Sequence, residues 1–437
     1  MNLPLTKMSS TSKYRFNNIS DLNDALNPMR AHNKKTAGGT SHGLLAIPLA
    51  LAAMLPVAGH TDELDTLQFR AGQSFQHDSN VYRLSDSTNT LSLPGRPERS
   101  DTIGITTFGV KFDKRYSLQR FEVDVFADRY DYKNNSRLNF TSKNYDAAWR
   151  WSLTPRLYGN LSADRREYVD NSADLQNLGQ LNRRLDRTTL ADAEYDLGGA
   201  WRVTGGFFGR DLTNSLANTF ESDYSVQGAQ AGARYVFPSG NWVGYRFKNG
   251  EGEYPGRTLT ATRAKDFQDR EHEFRALWMP TGKTTVRGRL SHLERSNEGL
   301  GARDFSGLTG QVDATWNATA KTAVMAGYVR ELENYQTNTA SYYAGNRFFV
   351  APTYMATEKI AVRLRYDHYR REFKGALAGF STVGRRDTLN LMSLSVDYQV
   401  IRALKLRAWV QRDHRDSTVT GLDYRSNAMG ISALASF

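Results

Sequence analysis

Apolar and polar residues alternate along most of the chain beyond residue 65. Phe121, Val123 and Val125 are separated by Glu122 and Asp124, and no stretch of this region has a convincing helical period. A period of two places alternate side chains on opposite faces of a sheet, so the pattern predicts β-strands. The same alternation recurs in 143–151, 360–367 and 404–411.

Two kinds of connection separate the predicted strands. Short turns are expected near Lys114, Thr154, Gly198, Ser239, Gly282, Thr319, Thr357 and Arg402. Longer polar loops are expected near 77–100, 133–141, 169–185, 211–222, 249–268, 293–304, 331–345, 370–386 and 412–423. These seventeen connections predict about eighteen strands of roughly 10–13 residues, with sixteen as the alternative count.

The arrangement predicts an all-β fold, a transmembrane antiparallel up-and-down β-barrel. Short turns on one side and long loops on the other are typical of bacterial outer-membrane barrels. With an even number of strands, we expect both termini on the periplasmic side. A β-propeller would have four short strands in each blade, and a soluble periplasmic sandwich would rarely need so many long strands. These two folds are the alternatives.

The N-terminal region, residues 1–59, has the features of an extended secretion signal, which leaves 60–437 for the barrel. The apolar run 43–59 follows several basic residues and ends in small ones, as signal peptides do. The run is shorter than the ~20 apolar residues of a transmembrane helix. We expect cleavage between Gly59 and His60.

The start of the chain is unusually long for a signal peptide. Met29 begins the segment MRAHNKK, which would open a signal of ordinary length. We therefore expect the true start at Met29.

The C-terminal strand carries a candidate assembly signal. Phe437 is the last residue, and Ala435, Ala433 and Ile431 precede it on the same face of the predicted strand. A terminal Phe with alternating apolar residues resembles the signal read by the outer-membrane assembly machinery. That machinery, together with outer-membrane lipids and lipopolysaccharide, is therefore an expected partner.

Composition fits a barrel better than a helical membrane protein. The 437 residues have a mean hydropathy of −0.59 and contain no Cys, which excludes disulfides, thiolate metal sites and lipid anchors on Cys. The net charge is +11, of which residues 1–59 supply +4. The remaining charges of both signs are dispersed, so nucleic acid is not an expected partner.

The polar strand face should line the lumen, because the apolar face must meet lipid. The candidate lumen-lining residues mix both charges with aromatics: Asp124, Asp128, Tyr130, Asp146, Arg150, Arg234, Arg246, Arg275, Arg287, Arg289, Arg363, Arg365, Arg407 and Trp409. Opposite charges on neighbouring strands could form ladders that stiffen the wall. The alternative is a positive stripe that favours anionic solutes.

Two further features concern the rims of the barrel. An interfacial girdle at the short-turn rim is expected from Trp149, Trp151, Trp201, Trp242, Trp278 and Trp316. At the other rim, any gate should be a loop that folds inward, and the loops at 77–100, 249–268 and 370–386 are long enough.

Signs of enzymatic chemistry are weak. The eight His are scattered without metal-ligand spacing, and no nucleophile elbow or phosphate-binding loop is present. We expect no catalytic residues, no cofactor and no metal. A barrel phospholipase or protease is the alternative, since such enzymes hide their residues on strand rims.

Several short motifs resemble the EpsL-type outer-membrane proteins of exopolysaccharide biosynthesis operons, within the broader group of β-barrel porins. They lie at Asp78–Leu84, Arg234–Gly240, Ala302–Gly307, Gly421–Tyr424 and Ser436–Phe437. The resemblance covers nearly all of 64–437. It implies an outer-membrane channel that takes part in exopolysaccharide export, with the polysaccharide and other export proteins as partners.

Two other functions stay open beside polysaccharide export. One is a general, anion-selective or sugar-selective uptake porin. The other is a non-conducting assembly partner of the export machinery.

Overall fold

The computed structural model describes residues 66–92, 98–170, 181–216, 223–380 and 384–437. The predicted signal peptide, the cleavage site at Gly59 and His60, and the predicted start at Met29 lie outside these residues. In the described part of the chain, no helix is long and apolar enough to cross a membrane, a finding that does not bear on strands.

Eighteen β-strands make up almost all of the described structure, and three short 3-10 turns lie in the loops. The strands are β1 Leu67–Asp78, β2 Asp101–Tyr116, β3 Gln119–Tyr132, β4 Phe140–Thr154, β5 Leu157–Asp170, β6 Asn182–Asp196, β7 Trp201–Asn214, β8 Tyr224–Val236, β9 Trp242–Glu253, β10 Asp266–Thr281, β11 Thr284–Asn297, β12 Phe305–Asn317, β13 Thr322–Asn334, β14 Tyr342–Met355, β15 Ile360–Lys374, β16 Arg386–Ile401, β17 Leu404–Ser417 and β18 Tyr424–Ser436.

The sheet is closed. Each strand pairs antiparallel with its neighbours in sequence, and β1 pairs with β18 from Arg70 opposite Ser436 to Asp78 opposite Ala428. Closure removes the sheet edges, so backbone donors and acceptors can be satisfied within a bilayer. The predicted up-and-down barrel of eighteen strands is confirmed.

The two ends of the barrel differ as the sequence predicts. Eight short turns join alternate pairs of strands at one end, and nine longer connections lie at the other. The first turn lies at Ser117 and Leu118, slightly beyond the position expected near Lys114. The turn residues thus predict the connections well, because they reflect local backbone conformation.

The strands have 12 to 16 residues, and most of them are longer than the predicted 10–13. The reason is visible on the outer face of β15. Val362, Leu364 and Tyr366 form part of an apolar belt, and His368 and Arg370 continue the same face toward the long loops. The strands therefore extend beyond the apolar belt into a polar collar, the outward-facing polar residues on the long-loop side of the belt.

The aromatic girdle is mostly as expected. The side chains of Trp149, Trp201, Trp278 and Trp316 are about half exposed on the outer face, and Trp151 faces outward over Gly159. Trp242 was expected among them, but this prediction is wrong. It faces the lumen between Arg234 and Arg275, whose guanidinium carbons lie 5.5 and 5.9 Å from its ring centre, because Val243 and Tyr245 take the outward positions of β9.

Candidate functional site: the lumen and its mouth

The strand register places all fourteen candidate lumen-lining residues on the inner face. On β3, the outward side chains of Phe121, Val123 and Val125 are exposed, while Asp124 and Asp128 alternate with them toward the interior. The other candidates occupy equivalent inner positions: Tyr130, Asp146, Arg150, Arg234, Arg246, Arg275, Arg287, Arg289, Arg363, Arg365, Arg407 and Trp409.

The C-terminal candidates lie on the opposite face. Ile431, Ala433 and Ala435 occupy outward positions of the last strand, and Phe437, directly after its end, stacks on the outward-facing ring of Phe69. Phe437 donates its backbone N–H to Phe69 O at 2.9 Å, so the end of the chain joins the first strand.

Near the short turns, one buried carboxylate gathers three cations. The Asp397 side chain is 6% exposed and pairs with Arg363. Arg407 Nη2 lies 3.1 Å and Lys405 Nζ 3.4 Å from Asp397 Oδ2. Three positive groups therefore share a single negative one.

A second buried carboxylate with more than one cation lies halfway along the inner face of these strands. Arg347 Nη2 lies 3.0 Å from Asp367 Oδ1, and Arg365 Nε lies 2.6 Å from Asp367 Oδ2. The Asp367 side chain is almost completely buried. Two positive groups share the Asp367 carboxylate, and Glu331 of β13 lies near enough to Arg347 to interact with its charge.

A third cluster lies next to the long loops. Asp387 Oδ2 is 2.8 Å from Arg415 Nη2, 3.1 Å from Arg385 Nη2 and 3.2 Å from Arg371 Nη2. Asp387 is fully buried, so its charge requires these partners.

The three clusters follow one another along the inner wall of β14–β17. Asp387 pairs in register with Arg371 at the long-loop end of β15, Asp367 lies in the middle, and Asp397 pairs with Ala361 at the short-turn end. We call this succession, the clusters of Asp387, Asp367 and Asp397, the basic track. In each cluster, two or three cations share one Asp carboxylate.

The inner wall of β3–β6 has the opposite balance. Its inward acidic side chains are Glu122, Asp124, Asp128, Asp146, Asp164, Asp186, Asp192, Glu194 and Asp196, and its inward basic side chains are Arg120, Arg150, Arg166 and Arg184. In a ring of eighteen strands, strands nine positions apart lie opposite, so β5 and β6 face β14 and β15. The lumen is thus polarised between an acidic and a basic wall.

Sequence reasoning identified Arg363, Arg365 and Arg407 but missed Arg371 and Arg415, which belong to the basic track. The signal was available, because both lie on the same alternating face, farther along β15 and β17. The Asp387 carboxylate that they share could not be predicted from spacing, since it lies on the strand between theirs.

The first long loop folds into the mouth of the lumen, as expected for 77–100. Val81, Tyr82 and Leu84 are buried against Ile103 and Ile105, which face inward from β2. Burial of this apolar surface holds the loop against the inner wall.

Arg83 anchors this loop from within. Its side chain is 2% exposed; Nη1 lies 2.9 Å from Asp78 Oδ2, and Nε lies 3.2 Å from Asp413 Oδ2. Burial would lower the pKa of Arg83, but the two carboxylates reverse this effect and raise its pKa above the ordinary value. Its backbone φ of 54° lies in the left-handed region, which is unfavourable for a side chain.

Two other long loops also fold into the mouth of the lumen. From the loop expected at 249–268, Tyr254 and Ala264 are buried against Leu212 and Tyr224, which face inward from β7 and β8. From the loop expected at 370–386, Leu377 is buried and donates its backbone N–H to Asn338 O at 3.0 Å. All three predicted loops therefore contribute to the mouth.

The end of the β13–β14 hairpin also bends inward, which the sequence did not indicate. The β12–β13 pairing stops at Gly310 opposite Arg330, although both strands continue toward the long loops. Beyond that point, Leu332 and Ala344 pack on Phe305. Separation from β12 thus lets the hairpin end lean over the lumen.

Arg303 ties these elements together. Its side chain is 1% exposed. Nη1 donates to Thr337 O and Nη2 to Thr262 O, both at 2.6 Å, and Nη1 lies 3.4 Å from Ser341 Oγ. Burial and the nearby Arg257 guanidinium lower the pKa of Arg303. Among the described residues it has no carboxylate partner.

Metal chemistry has no visible support in the described ranges, where no group of three or more His, Asp or Glu could hold a metal ion. The five described His, at 77, 272, 292, 368 and 414, all occupy outward positions on their strands. None of these five can therefore serve chemistry in the lumen.

One protein family matches part of the chain. Residues 294–437 match the family described as "Putative beta-barrel porin 2". A comparison with curated proteins finds no match.

The fold resembles solved outer-membrane structures. OccK1 (OpdK) of Pseudomonas aeruginosa has a TM-score of 0.48 and 11% identity, covering 85% of this chain and 99% of that one. The same protein with vanillate gives 0.47 and 11% over the same shares. OccAB4 of Acinetobacter baumannii gives 0.46 and 10%, covering 86% and 99%. With TM-scores below 0.5, these likenesses say nothing about what the lumen carries.

The lumen and the lipid-facing surface together describe the kind of protein this is. A closed sheet of eighteen strands carries an apolar belt outside and charged walls inside. Barrels of 16–18 strands leave an aqueous channel rather than a packed core. The chain therefore forms a porin-like β-barrel of the outer membrane.

Proposed function

We propose that the barrel is a channel that favours anions. The basic track carries this proposal, because its excess of cations persists after every carboxylate in it is paired. Two or three cations share each of Asp387, Asp367 and Asp397. A wall built only for stiffness would need balanced pairs.

The position of the track supports the same function. Its clusters extend from the long-loop end to the short-turn end of one wall, so a small anion would meet positive charge at each level. Charge of one sign along a narrow, low-dielectric passage raises the local concentration of counter-ions. The acidic wall across the lumen orients a dipolar solute between the two.

The reversal potential in a KCl gradient across a planar bilayer tests this function. Arg363→Gln with Arg407→Gln leaves Lys405 to pair with Asp397 and should reduce the preference for chloride. Arg129→Gln with Arg270→Gln is the matched control, because it removes the same charge from outward positions. Equal selectivity in both variants would refute the role of the track.

Export of an acidic exopolysaccharide is the second candidate function. The motif Asp78–Leu84, which resembles EpsL-type proteins, forms the buried loop at the mouth, and Ala302–Gly307 contains Arg303. Two of the five resembling motifs therefore lie at the mouth of the lumen. The positive charge of the basic track would attract an acidic polymer as it would attract small anions.

Polymer blockade separates export from uptake. Polygalacturonate, an acidic polysaccharide, should interrupt the current through single channels, while neutral dextran of similar length should not. Failure of both to block would favour small-solute uptake. Absence of any current would favour a non-conducting assembly partner and overturn both channel proposals.

We also propose that the short turns and both termini are periplasmic, and that the last strand is the segment recognised by the assembly machinery. Since the chain lacks Cys, single introduced thiols report orientation directly. Thr260→Cys in a long loop should react with an impermeant maleimide on intact cells, and Leu197→Cys in a short turn should not. The reverse pattern would invert the orientation.

A further inference from the structure

The outer face of β17 and β18 carries two arginines, Arg412 and Arg425, close to His414. His414 lies directly opposite Arg425, and Arg412 lies opposite Asn427, two residues from Arg425 on the same strand face. Cross-strand and diagonal neighbours on one face are close enough for long side chains to meet. We call Arg412 and Arg425 the outer cation cluster.

The two arginines have no counter-ion among the described residues. Arg412 and Arg425 are exposed, and neither side chain makes a hydrogen bond or ion pair with the described residues. Elsewhere in the collar such partners exist: Arg129 Nε lies 2.9 Å from Asp131 Oδ1, and Arg370 Nη2 lies 2.8 Å from Glu372 Oε1. Next to these arginines, His414 Nε2 lies 3.1 Å from Asp416 Oδ1.

The cluster lies at the edge of the apolar belt. Val410 and Met429 are 52% and 57% exposed on the same outer face, and they form the next pair of the β17–β18 ladder toward the short turns. Side chains at that level contact acyl chains, so Arg412 and Arg425 stand at the height of the lipid headgroups.

We propose that the outer cation cluster binds a phosphate group of a glycolipid in the outer leaflet. Like charges placed on adjacent strands are destabilising without an anion between them. Arg guanidinium groups match phosphate oxygens in pairs of charge-assisted hydrogen bonds. Acyl chains of the same lipid would lie on Val410 and Met429, which gives the ligand two points of attachment.

The site rests on the proposed orientation, with the long loops outside, and not on channel activity. Conductance and lipid binding can therefore fail separately. A barrel that conducts normally but retains no phosphorylated lipid would refute this site and leave the channel proposal standing.

Native mass spectrometry of the purified, folded barrel tests the proposal. The probes are bis-phosphorylated lipid A, the same lipid after enzymatic dephosphorylation, and inorganic phosphate. The intact protein should retain the phosphorylated lipid through detergent exchange and retain the dephosphorylated form at least about tenfold less, a difference of about 1.4 kcal/mol. Equal retention of both lipids would overturn the proposal, as would displacement by millimolar inorganic phosphate alone.

Variants then locate the site. Arg412→Gln with Arg425→Gln should lower retention at least about tenfold, while Arg129→Gln with Arg270→Gln, matched in charge and outward position, should not. Arg412→Lys with Arg425→Lys keeps the charge and should retain most of the binding. Since folded barrels resist SDS before heating, gel mobility identifies the folded fraction. Equal loss in the double-Gln and control variants would refute the location.

Discussion

Arg83 and Arg303 are both buried in loops over the mouth, yet they are held in different ways. Arg83 pairs with the carboxylates of Asp78 and Asp413. Arg303 is hydrogen-bonded to the backbone carbonyls of Thr337 and Thr262 and has no carboxylate among the described residues.

The difference distinguishes two kinds of contact. We call Arg83 the anchor, because its contact should persist, and Arg303 the tie, because its contact should break more easily. A buried charge that neutralises other buried charges cannot leave without exposing them, whereas a cation held by carbonyls leaves only neutral groups behind. The β1–β2 loop should therefore stay in place while the β13–β14 hairpin end can move. Repulsion between the Arg303 and Arg257 guanidinium groups further favours release.

The largest effect is expected at Arg83. Arg83→Ala would leave Asp78 and Asp413 without their buried partner, so the free energy of unfolding should fall by about 3–5 kcal/mol. Urea titration of the barrel in detergent micelles measures this loss. A loss below about 1 kcal/mol would show that water already solvates the two carboxylates and that Arg83 is not an anchor.

Arg303→Ala is expected to lower stability less than Arg83→Ala does, but to raise single-channel conductance more. Arg303→Ala removes two hydrogen bonds to carbonyl groups but also removes a buried charge without a counter-ion, so the free energy of unfolding should fall by about 1–3 kcal/mol. The hairpin end should spend more time away from the mouth, so single-channel conductance should rise. Arg83→Ala is the comparison: if it raises conductance as much as Arg303→Ala, the distinction between anchor and tie is wrong.

The smallest effect is expected at Tyr254, which lies beside the tie. Its hydroxyl is 3.4 Å from Asn334 Oδ1 and 3.4 Å from Gln336 Nε2, so Tyr254→Phe should cost about 0.5–1.5 kcal/mol. A double-mutant cycle sharpens the comparison, because residues in one network couple and distant ones add. The stability loss of Tyr254→Phe should couple with that of Arg303→Ala and add to that of Arg83→Ala. The reverse result would show that Tyr254 belongs to the network of Arg83 and not to that of Arg303.

Much of the fold was predictable because its signals are local. Alternation in 121–127 and 404–411 determines which side chains face the lumen, and turn residues near Ser239 and Gly282 mark the connections. The facing of Trp242 also followed from alternation, since it shares a strand face with Arg246, a predicted lumen residue. The girdle prediction failed because it relied on distance from the turn and not on the period.

The candidate site was only partly predictable, because local signals place its residues on a strand face but do not specify contacts between strands. Arg363 and Arg407 belong to an alternating face and could be identified, but the Asp397 carboxylate that joins them lies on the strand between theirs. Which cation shares which carboxylate depends on register across strands. The excess charge of the basic track therefore appears only when neighbouring strands are placed side by side.

The sequence by itself determined the number of strands, the two faces of each and the asymmetry of the barrel ends, because period and turn chemistry act over a few residues. The tertiary structure decided the shape of the mouth. Arg303 bonds to Thr262 and Thr337, which lie in different loops, and the hairpin end can lean inward only where the β12–β13 ladder stops. Such contacts join distant parts of the chain, so no local pattern specifies them.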